Sequence, residues 1–256
     1  MSHALPRFIP ILTSYAVRVS GRKIESLLAS SAGLARALLD TQKVVGHDGV
    51  LCLFHPPVLV DSCIESTSGP LRLRRADEVS RFGGMAVMLD AVAALRRQVA
   101  PGTSVFAAFA GPGLLIAELA GRAAGGDAVD TDYAGDVFLG AVRAAFEAEA
   151  HGVAVIEQRM AAIPADLAAL YRSANKLAEF YDGAQLVFHL PGAGEAAATA
   201  AHGTFFLESV ADTCRARQGL GAGGRIVPVT TAGDVPSNTP LEQLKELREQ
   251  VQGSNR

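Results

Sequence analysis

Six polar side chains that can do chemistry stand at or just after the ends of apolar runs in the sequence. They are two arginines, two histidines and two glutamates: Arg18, Arg22, His55, Glu157, His189 and Glu208. Guanidinium groups bind carboxylates through paired donors, whereas imidazoles and carboxylates transfer protons or bind metal ions. The set therefore points to a site that holds an acidic small molecule and either moves a proton or binds a metal.

The apolar runs that carry these residues have the length and composition of buried strands. They are RFIPILTS, DGVLCLFH, TSVFAAFAG, GVAVIEQ, AQLVFHLPG, GTFFLES and GRIVPVTT. Helical patterns separate most of them, at 23–45, 76–99, 133–150 and 165–182, and a last helix is predicted after Thr239 and Pro240. This alternation predicts a parallel sheet covered by helices.

The chain has 256 residues, 49% of them apolar, which suits a single barrel domain of about 250 residues. An open doubly wound sheet is the alternative, but the first strand lacks the glycine-rich phosphate loop that such sheets usually have. We therefore expect an α/β protein, a (β/α)8 TIM-type barrel, complete or trimmed, as one domain over 1–256. In such a barrel the working residues stand at the carboxyl ends of the strands.

Composition excludes several classes of partner. The net charge is −3 and charged residues make up 19% of the chain, so the sequence predicts no nucleic-acid partner. No apolar run reaches the roughly 18 residues of a membrane span, and the first residues lack the pattern of a signal peptide. The three cysteines, Cys52, Cys63 and Cys214, have no CxxC spacing, which favours a reducing, cytoplasmic location.

Four segments carry a resemblance to a known family. They are YAVRVSGRK at 15–23, GHDGVLCLFHPPVLVDSC at 46–63, FAGPGLLIAELAG at 109–121 and GDVPSNTPLEQLKELREQV at 233–251. In this order they resemble segments of the uroporphyrinogen decarboxylase family, whose superfamily also holds cobalamin-dependent methyltransferases and cobalamin-independent methionine synthase. The resemblance implies a TIM-type barrel, a homodimer and a cofactor-free carboxy-lyase.

The same resemblance assigns roles to individual positions. Arg18 and Arg22 match arginines that hold substrate carboxylates, and Glu118 falls near a family tyrosine, so these three are the predicted substrate-binding residues. His55 stands where the decarboxylases have an aspartate, and a neutral imidazole accepts only one hydrogen bond where a carboxylate accepts several. The predicted catalytic residues are His55, Glu157 and His189.

A metal site is the alternative for the histidines. In the methyltransferase and methionine synthase branches a histidine and cysteines bind zinc, and His189 matches that histidine. Pro191 and Gly233 replace the two cysteines, so the sequence predicts no thiol-activating zinc site. A set of two imidazoles and one carboxylate, from His55, His189 and either Glu157 or Glu208, would suit zinc or iron.

Three functions stay open. The leading hypothesis is a decarboxylase-like lyase that acts on a tetrapyrrole of porphyrin biosynthesis or on a smaller aromatic acid. Such a lyase would need no cofactor and no metal. The alternative is a methyl- or alkyl-transferase relative that uses a metal and a corrinoid or folate partner. The third is a barrel without catalysis that serves as a binding or partner subunit, because fold alone does not fix function.

Overall fold

The computed structural model describes residues 6–66, 71–122, 130–158, 164–190, 205–207, 227–231, 235 and 237–253. Its strands are β1 (Pro6–Phe8), β2 (Gly49–Cys52), β3 (Ile64–Ser66), β4 (Arg72–Leu73), β5 (Ser104–Ala110), β6 (Gly152–Gln158), β7 (Ala184–Leu190), β8 (Phe205–Leu207) and β9 (Val227–Thr231). The predicted strands are all represented, and β3 and β4 form a short antiparallel hairpin that was not predicted.

The helices lie between these strands. They are α1 (Thr13–Ser20), α2 (Ile24–Leu28), α3 (Ser31–Val45), α4 (Pro57–Cys63), α5 (Gly83–Gln98), α6 (Pro112–Arg122), α7 (Thr131–Glu147), α8 (Ala165–Phe180) and α9 (Leu241–Gly253), with a 3₁₀ helix at Ala76–Arg81. The predicted alternation of strands and helices is therefore confirmed for the described part of the chain.

Seven of the strands form two parallel sheets. One sheet has the order β2-β5-β6-β7 and the other has the order β1-β9-β8. This is the order in which strands follow one another around a barrel, with helices as the connections. Among the described strands, no ladder joins β7 to β8 or β1 to β2. The structure is thus a parallel α/β fold, and a closed ring of strands is not shown.

Asp48 links the two sheets, because it joins the last residue of β1 to the region just before β2 and to the first residue of β5. Its backbone N–H donates to the carbonyl oxygen of Phe8 at 2.9 Å, and the N–H of Phe8 donates to Oδ2 of Asp48 at 2.9 Å. The carbonyl oxygen of Asp48 accepts from the N–H of Ser104 at 3.1 Å. One residue therefore connects β1 of one sheet with β5 of the other.

Two predicted helices are interrupted where the sequence supplies local caps. The predicted helix over 23–45 is divided at Ser30, whose extended backbone and side-chain oxygen cap α3 by accepting from the N–H of Gly33 at 3.1 Å. The predicted helix over 76–99 is divided at Gly83, which has a positive φ of 56°.

The core explains why these segments form their elements. Every residue of β5 is buried, as expected for a strand covered on both faces. The helices contribute one apolar face each, and α7 alone buries residues including Val137, Phe138, Val142 and Phe146. No helix in the described ranges is long and apolar enough to cross a membrane.

Candidate functional site

We call the carboxyl ends of the parallel strands the rim, and three chain segments meet at the part of it next to β1 and β2. The first is the end of β1 with α1, the second is the turn after β2, and the third is the segment before α9. The N–H of Val235 donates to the carbonyl oxygen of Ile11 at 2.9 Å. The N–H of Phe54 donates to Oγ1 of Thr13 at 2.8 Å. These two contacts hold the three segments together.

Arg18 lies exposed on α1 with a fixed orientation. Its guanidinium group lies 5.5 Å from the centre of the Tyr15 ring, and its Nη1 donates to the carbonyl oxygen of Ser237. Because a guanidinium group has five donors, these contacts leave most of them available for a ligand. The structure therefore supports Arg18 as an available cation at the rim.

Arg22 points to a different neighbour. Its guanidinium Nη1 lies 2.8 Å from the position that a Cβ on Gly33 would occupy, so the side chain covers the first turn of α3. Its backbone N–H donates to Oγ of Ser20 at 3.4 Å. The structure thus places Arg18 against the segment before α9 and Arg22 against α3, and the predicted role of Arg22 in substrate binding stays a prediction.

His55 stands half-buried in a tight turn at the end of β2. Leu53 is fully buried and has a φ of 61°, a conformation that residues with a Cβ rarely adopt. The N–H of His55 donates to the carbonyl oxygen of Leu53 at 3.0 Å, and the carbonyl oxygen of His55 accepts from Val58 at 3.1 Å. The backbone on both sides of His55 is therefore fixed at the rim.

Glu157 is fully buried at the end of β6, and its carboxylate contacts the helix layer. Oε2 accepts from the N–H of Gly113 at 3.1 Å, Oε1 accepts from the N–H of Leu114, and the Tyr171 hydroxyl donates to Oε2. The carboxylate thus binds the free N–H groups at the start of α6, where negative charge is stabilised. These contacts explain Glu157 as a cap of α6, and its catalytic role stays a prediction.

Two neighbours of Glu157 show how closely this carboxylate is enclosed. Burial, and next the negative charge of Glu157, raise the pKa of the Tyr171 hydroxyl, which therefore stays protonated and donates. Gly111 leaves room for the carboxylate, because a Cβ at that position would collide with Oε2 of Glu157 and lie 2.8 Å from Cγ1 of Val155. No sequence pattern singles out Tyr171, and only its place on the predicted helix could have indicated it.

The other predicted residues are placed less closely to one another. Glu118 is exposed on α6, whose residues Leu115 and Leu119 are buried. The Cα of His189 is the register partner of the Cα of Glu157 on the neighbouring strand β7. Glu208, like Pro191 and Gly233, lies outside the described residues.

The described residues give no support for a metal site. They contain no group of three histidine, cysteine, aspartate or glutamate side chains that could hold a metal ion. Burial raises the pKa of the Cys52 thiol to about 12 and that of the Cys63 thiol to about 11, so neither is a ready thiolate. The contacts of Glu157 with α6 and Tyr171 account for this carboxylate without a metal.

A groove of about 1000 Å³ lies elsewhere, between the 3₁₀ helix and α7. Arg74 on its wall stacks on the Phe82 ring at 3.9 Å, and Arg75 forms an ion pair with Asp77 at 3.1 Å. The other charged residues that line it carry both signs and are Arg81, Asp136, Arg143 and Glu147. None of the residues predicted from the sequence lines this groove, so it is distinct from the rim.

Comparison with known proteins supports the fold and changes the functional conclusion. No protein-family model matches the chain, and no curated protein matches it. A solved methyltransferase from Methanosarcina mazei aligns over 100% of this chain and 96% of its own, with a TM-score of 0.70 and 15% sequence identity. At that identity the likeness shows a shared fold, of the TIM-barrel type that the sequence resemblance implied.

The prediction of a decarboxylase of porphyrin biosynthesis is wrong on this comparison. The solved structure that aligns along the whole chain is a methyltransferase, so the comparison fits the methyl- or alkyl-transferase alternative better. The physical reason for the error is that segments such as YAVRVSGRK can indicate a fold, and one fold carries many different activities.

Proposed function

We propose that this chain is a methyl- or alkyl-transferase relative that acts on a small molecule bearing a carboxylate. The observation that carries the proposal is the likeness to a methyltransferase along the whole chain, at a TM-score of 0.70. The same proposal includes strands that close into a barrel, a homodimer as the oligomeric state, and a cytoplasmic location.

Two rim residues support the substrate class and the chemistry. Arg18 is exposed and keeps donors free beyond those bound to Ser237, which suits a substrate carboxylate. His55 is half-buried in a fixed turn nearby along the rim, which suits a general base. In the transfer the acceptor loses its proton to the imidazole, forms a bond to the alkyl carbon, and the bond between that carbon and the donor breaks.

The side chains present in the sequence limit which metal site can be proposed. A thiolate zinc site does not fit, because Pro191 and Gly233 offer no side-chain ligand. His55, His189 and Glu208, two imidazoles and one carboxylate, would hold zinc or iron only if His55 served as a ligand instead of as the base. A corrinoid or a folate would supply the alkyl group, and no step is assigned to a metal.

The experiment is a transfer assay with the chain as purified without chelator. Methylcobalamin and methyl-tetrahydrofolate serve as donors, and carboxylate-bearing thiols, amines and phenols serve as acceptors. We expect an acceptor to gain one methyl group by mass spectrometry, and Arg18→Ala to raise its KM about tenfold, since the lost pairing is worth about 1.4 kcal/mol.

The matched control is Arg36→Ala, which removes an exposed arginine that pairs with Asp40 at 2.7 Å on the surface of α3. It should leave KM unchanged. Absence of methyl transfer from either donor to every acceptor, before and after incubation with zinc or iron, would overturn the proposal. Metal analysis of the same sample shows whether reconstitution took place.

A second candidate is a binding subunit without catalysis. The observation that favours it is the loss of both thiolate ligands, at Pro191 and Gly233. This candidate predicts that methylcobalamin binds the chain and is recovered with its methyl group intact. Equilibrium dialysis followed by the visible spectrum of the bound corrinoid separates the two functions.

A further inference from the structure

The turn after β2 has a backbone that its own sequence does not favour. Leu53 adopts a φ of 61° although it is not glycine, and its side chain is fully buried. Left-handed conformations of such residues persist only when surrounding contacts impose them, and they are frequent at functional sites. The contact that imposes this one should therefore be identifiable.

Thr13 supplies that contact from the neighbouring helix α1. Its Oγ1 accepts the N–H of Phe54 at 2.8 Å, across 41 positions of the chain. Thr13 is 7% exposed and is the first residue of α1, so the acceptor is shielded from water and held by a helix. Without it the N–H of Phe54 would lose this acceptor in a half-buried place, which is unfavourable.

The next residues extend this fixation to His55. The N–H of His55 is bound to the Leu53 carbonyl oxygen at 3.0 Å. Pro56 and Pro57 follow, and their rings restrict the backbone on the other side. The backbone from Phe54 to Pro57 is therefore a short, stiff segment, and the hydroxyl of Thr13 holds its first residue.

We infer that Thr13 is a positioning residue that holds the strained turn at Leu53 and so fixes His55 at the rim. The same helix α1 carries Arg18, five residues further on. One helix thereby sets the relative placement of the proposed carboxylate-binding cation and the proposed base. The inference rests on the proposed function for the role of His55, and on the hydrogen bond alone for the role of Thr13.

The test compares Thr13→Val, which keeps the shape and removes the acceptor, with Thr13→Ser, which keeps the acceptor. In Thr13→Val we expect amide hydrogen exchange at Phe54 to accelerate at least about tenfold and the Cε1–H NMR signal of His55 to shift. The kcat of methyl transfer should fall about tenfold with KM within about twofold, because only the base is displaced. Thr13→Ser should restore all three.

Thr41→Val is the matched control, because it removes a buried threonine whose hydroxyl only donates to the carbonyl of Ala37 at 2.8 Å within α3. It should leave Phe54 exchange and the His55 signal unchanged. If Thr13→Val does not fold, Thr13→Cys replaces it, since sulfur is a weak acceptor of similar size.

The outcomes separate this inference from the proposed function. Unchanged Phe54 exchange and an unmoved His55 signal in the acceptor-free variant overturn the inference, whatever the activity. If His55→Ala abolishes methyl transfer while Thr13→Val keeps a normal kcat, the inference is overturned as well. If the wild-type chain transfers no methyl group, the proposed function fails, and the exchange rate and NMR signal still decide whether Thr13 positions His55.

Discussion

At the scale of single residues, Glu157 shows what a strand-end carboxylate can be for. Its position after an apolar strand is readable from the sequence, but its direction is not, because GVAVIEQ is apolar on both faces. The structure turns it to the helix layer, where it binds Gly113, Leu114 and Tyr171. The sequence thus predicts the place of the residue and leaves open which layer uses it.

Glu157→Gln tests this role through stability. The amide turns one donor toward N–H groups that need acceptors, and the charged hydrogen bonds are lost, so we expect a loss of about 2 kcal/mol in the free energy of unfolding. Urea denaturation measures it. The control is Glu118, which lies exposed on α6, the helix that Glu157 caps. Glu118→Gln should change stability by less than about 0.5 kcal/mol. Equal effects of the two variants would contradict the assignment.

Gly111→Ala makes a second prediction at the same place. The added Cβ would meet Oε2 of Glu157 and lie 2.8 Å from Cγ1 of Val155, so the variant should lose about 2 kcal/mol as an overpacked core site. Gly121→Ala is the control, because nothing lies within 4 Å of a Cβ there. It should be neutral or more stable by up to about 1 kcal/mol. A thermally unaffected Gly111→Ala would refute the close packing.

At the scale of elements, α9 closes the fold against β1 and α3. Phe8 packs against Val251 and Leu247, and Nη2 of Arg248 lies 3.6 Å from Oδ1 of Asp48. Arg248 can lie there because Gly46, in a left-handed conformation with a φ of 76°, has no Cβ. His47 sits beside this ion pair, buried, with Nδ1 at 2.5 Å from the carbonyl oxygen of Gly49.

This arrangement predicts a pH dependence of stability. Burial lowers the pKa of His47 from 6.5 to about 4, and of the two charges that face it Arg248 lowers the pKa and Asp48 raises it. The unfolded chain therefore binds a proton that the folded chain does not, and stability falls as the pH drops below 6.5. At about 1.4 kcal/mol per pH unit, the loss reaches about 3 kcal/mol by pH 4.

Urea denaturation at pH 7, 6, 5 and 4 measures this dependence. His47→Asn keeps a donor for the Gly49 carbonyl and cannot be protonated, so the part of the slope that belongs to His47 should disappear. The carboxylates titrate in both proteins, so their contributions to the pH dependence cancel in the comparison. Parallel curves for the two proteins would show that His47 does not titrate in this way.

The elements also show where sequence patterns fail. Helical periodicity predicts 23–45 and 76–99 as continuous segments, since apolar spacing continues across both divisions. The caps that divide them are local: the side chain of Ser30 and the positive φ of Gly83. The predicted first strand is shortened to Pro6–Phe8, because Thr13 already begins α1. Such ends depend on single hydrogen bonds that periodicity does not detect.

At the scale of the whole molecule, the order of the strands was predictable from the sequence. Which residues come together at the rim was not. Alternating strands and helices imply parallel strands whose carboxyl ends share a rim, and the orders β2-β5-β6-β7 and β1-β9-β8 agree with this. What brings Arg18 near the segment before α9, and Thr13 to the turn of His55, is a set of contacts between residues more than 40 positions apart. No sequence spacing encodes them.

We propose that ligand binds at the rim next to 9–22, 53–57, 235 and 237–240. Hydrogen–deuterium exchange measured by mass spectrometry, with and without saturating methylcobalamin, tests it most directly. We expect slower exchange in peptides from these three segments and no change in the groove between the 3₁₀ helix and α7. Protection confined to that groove, with the rim segments unchanged, would contradict it.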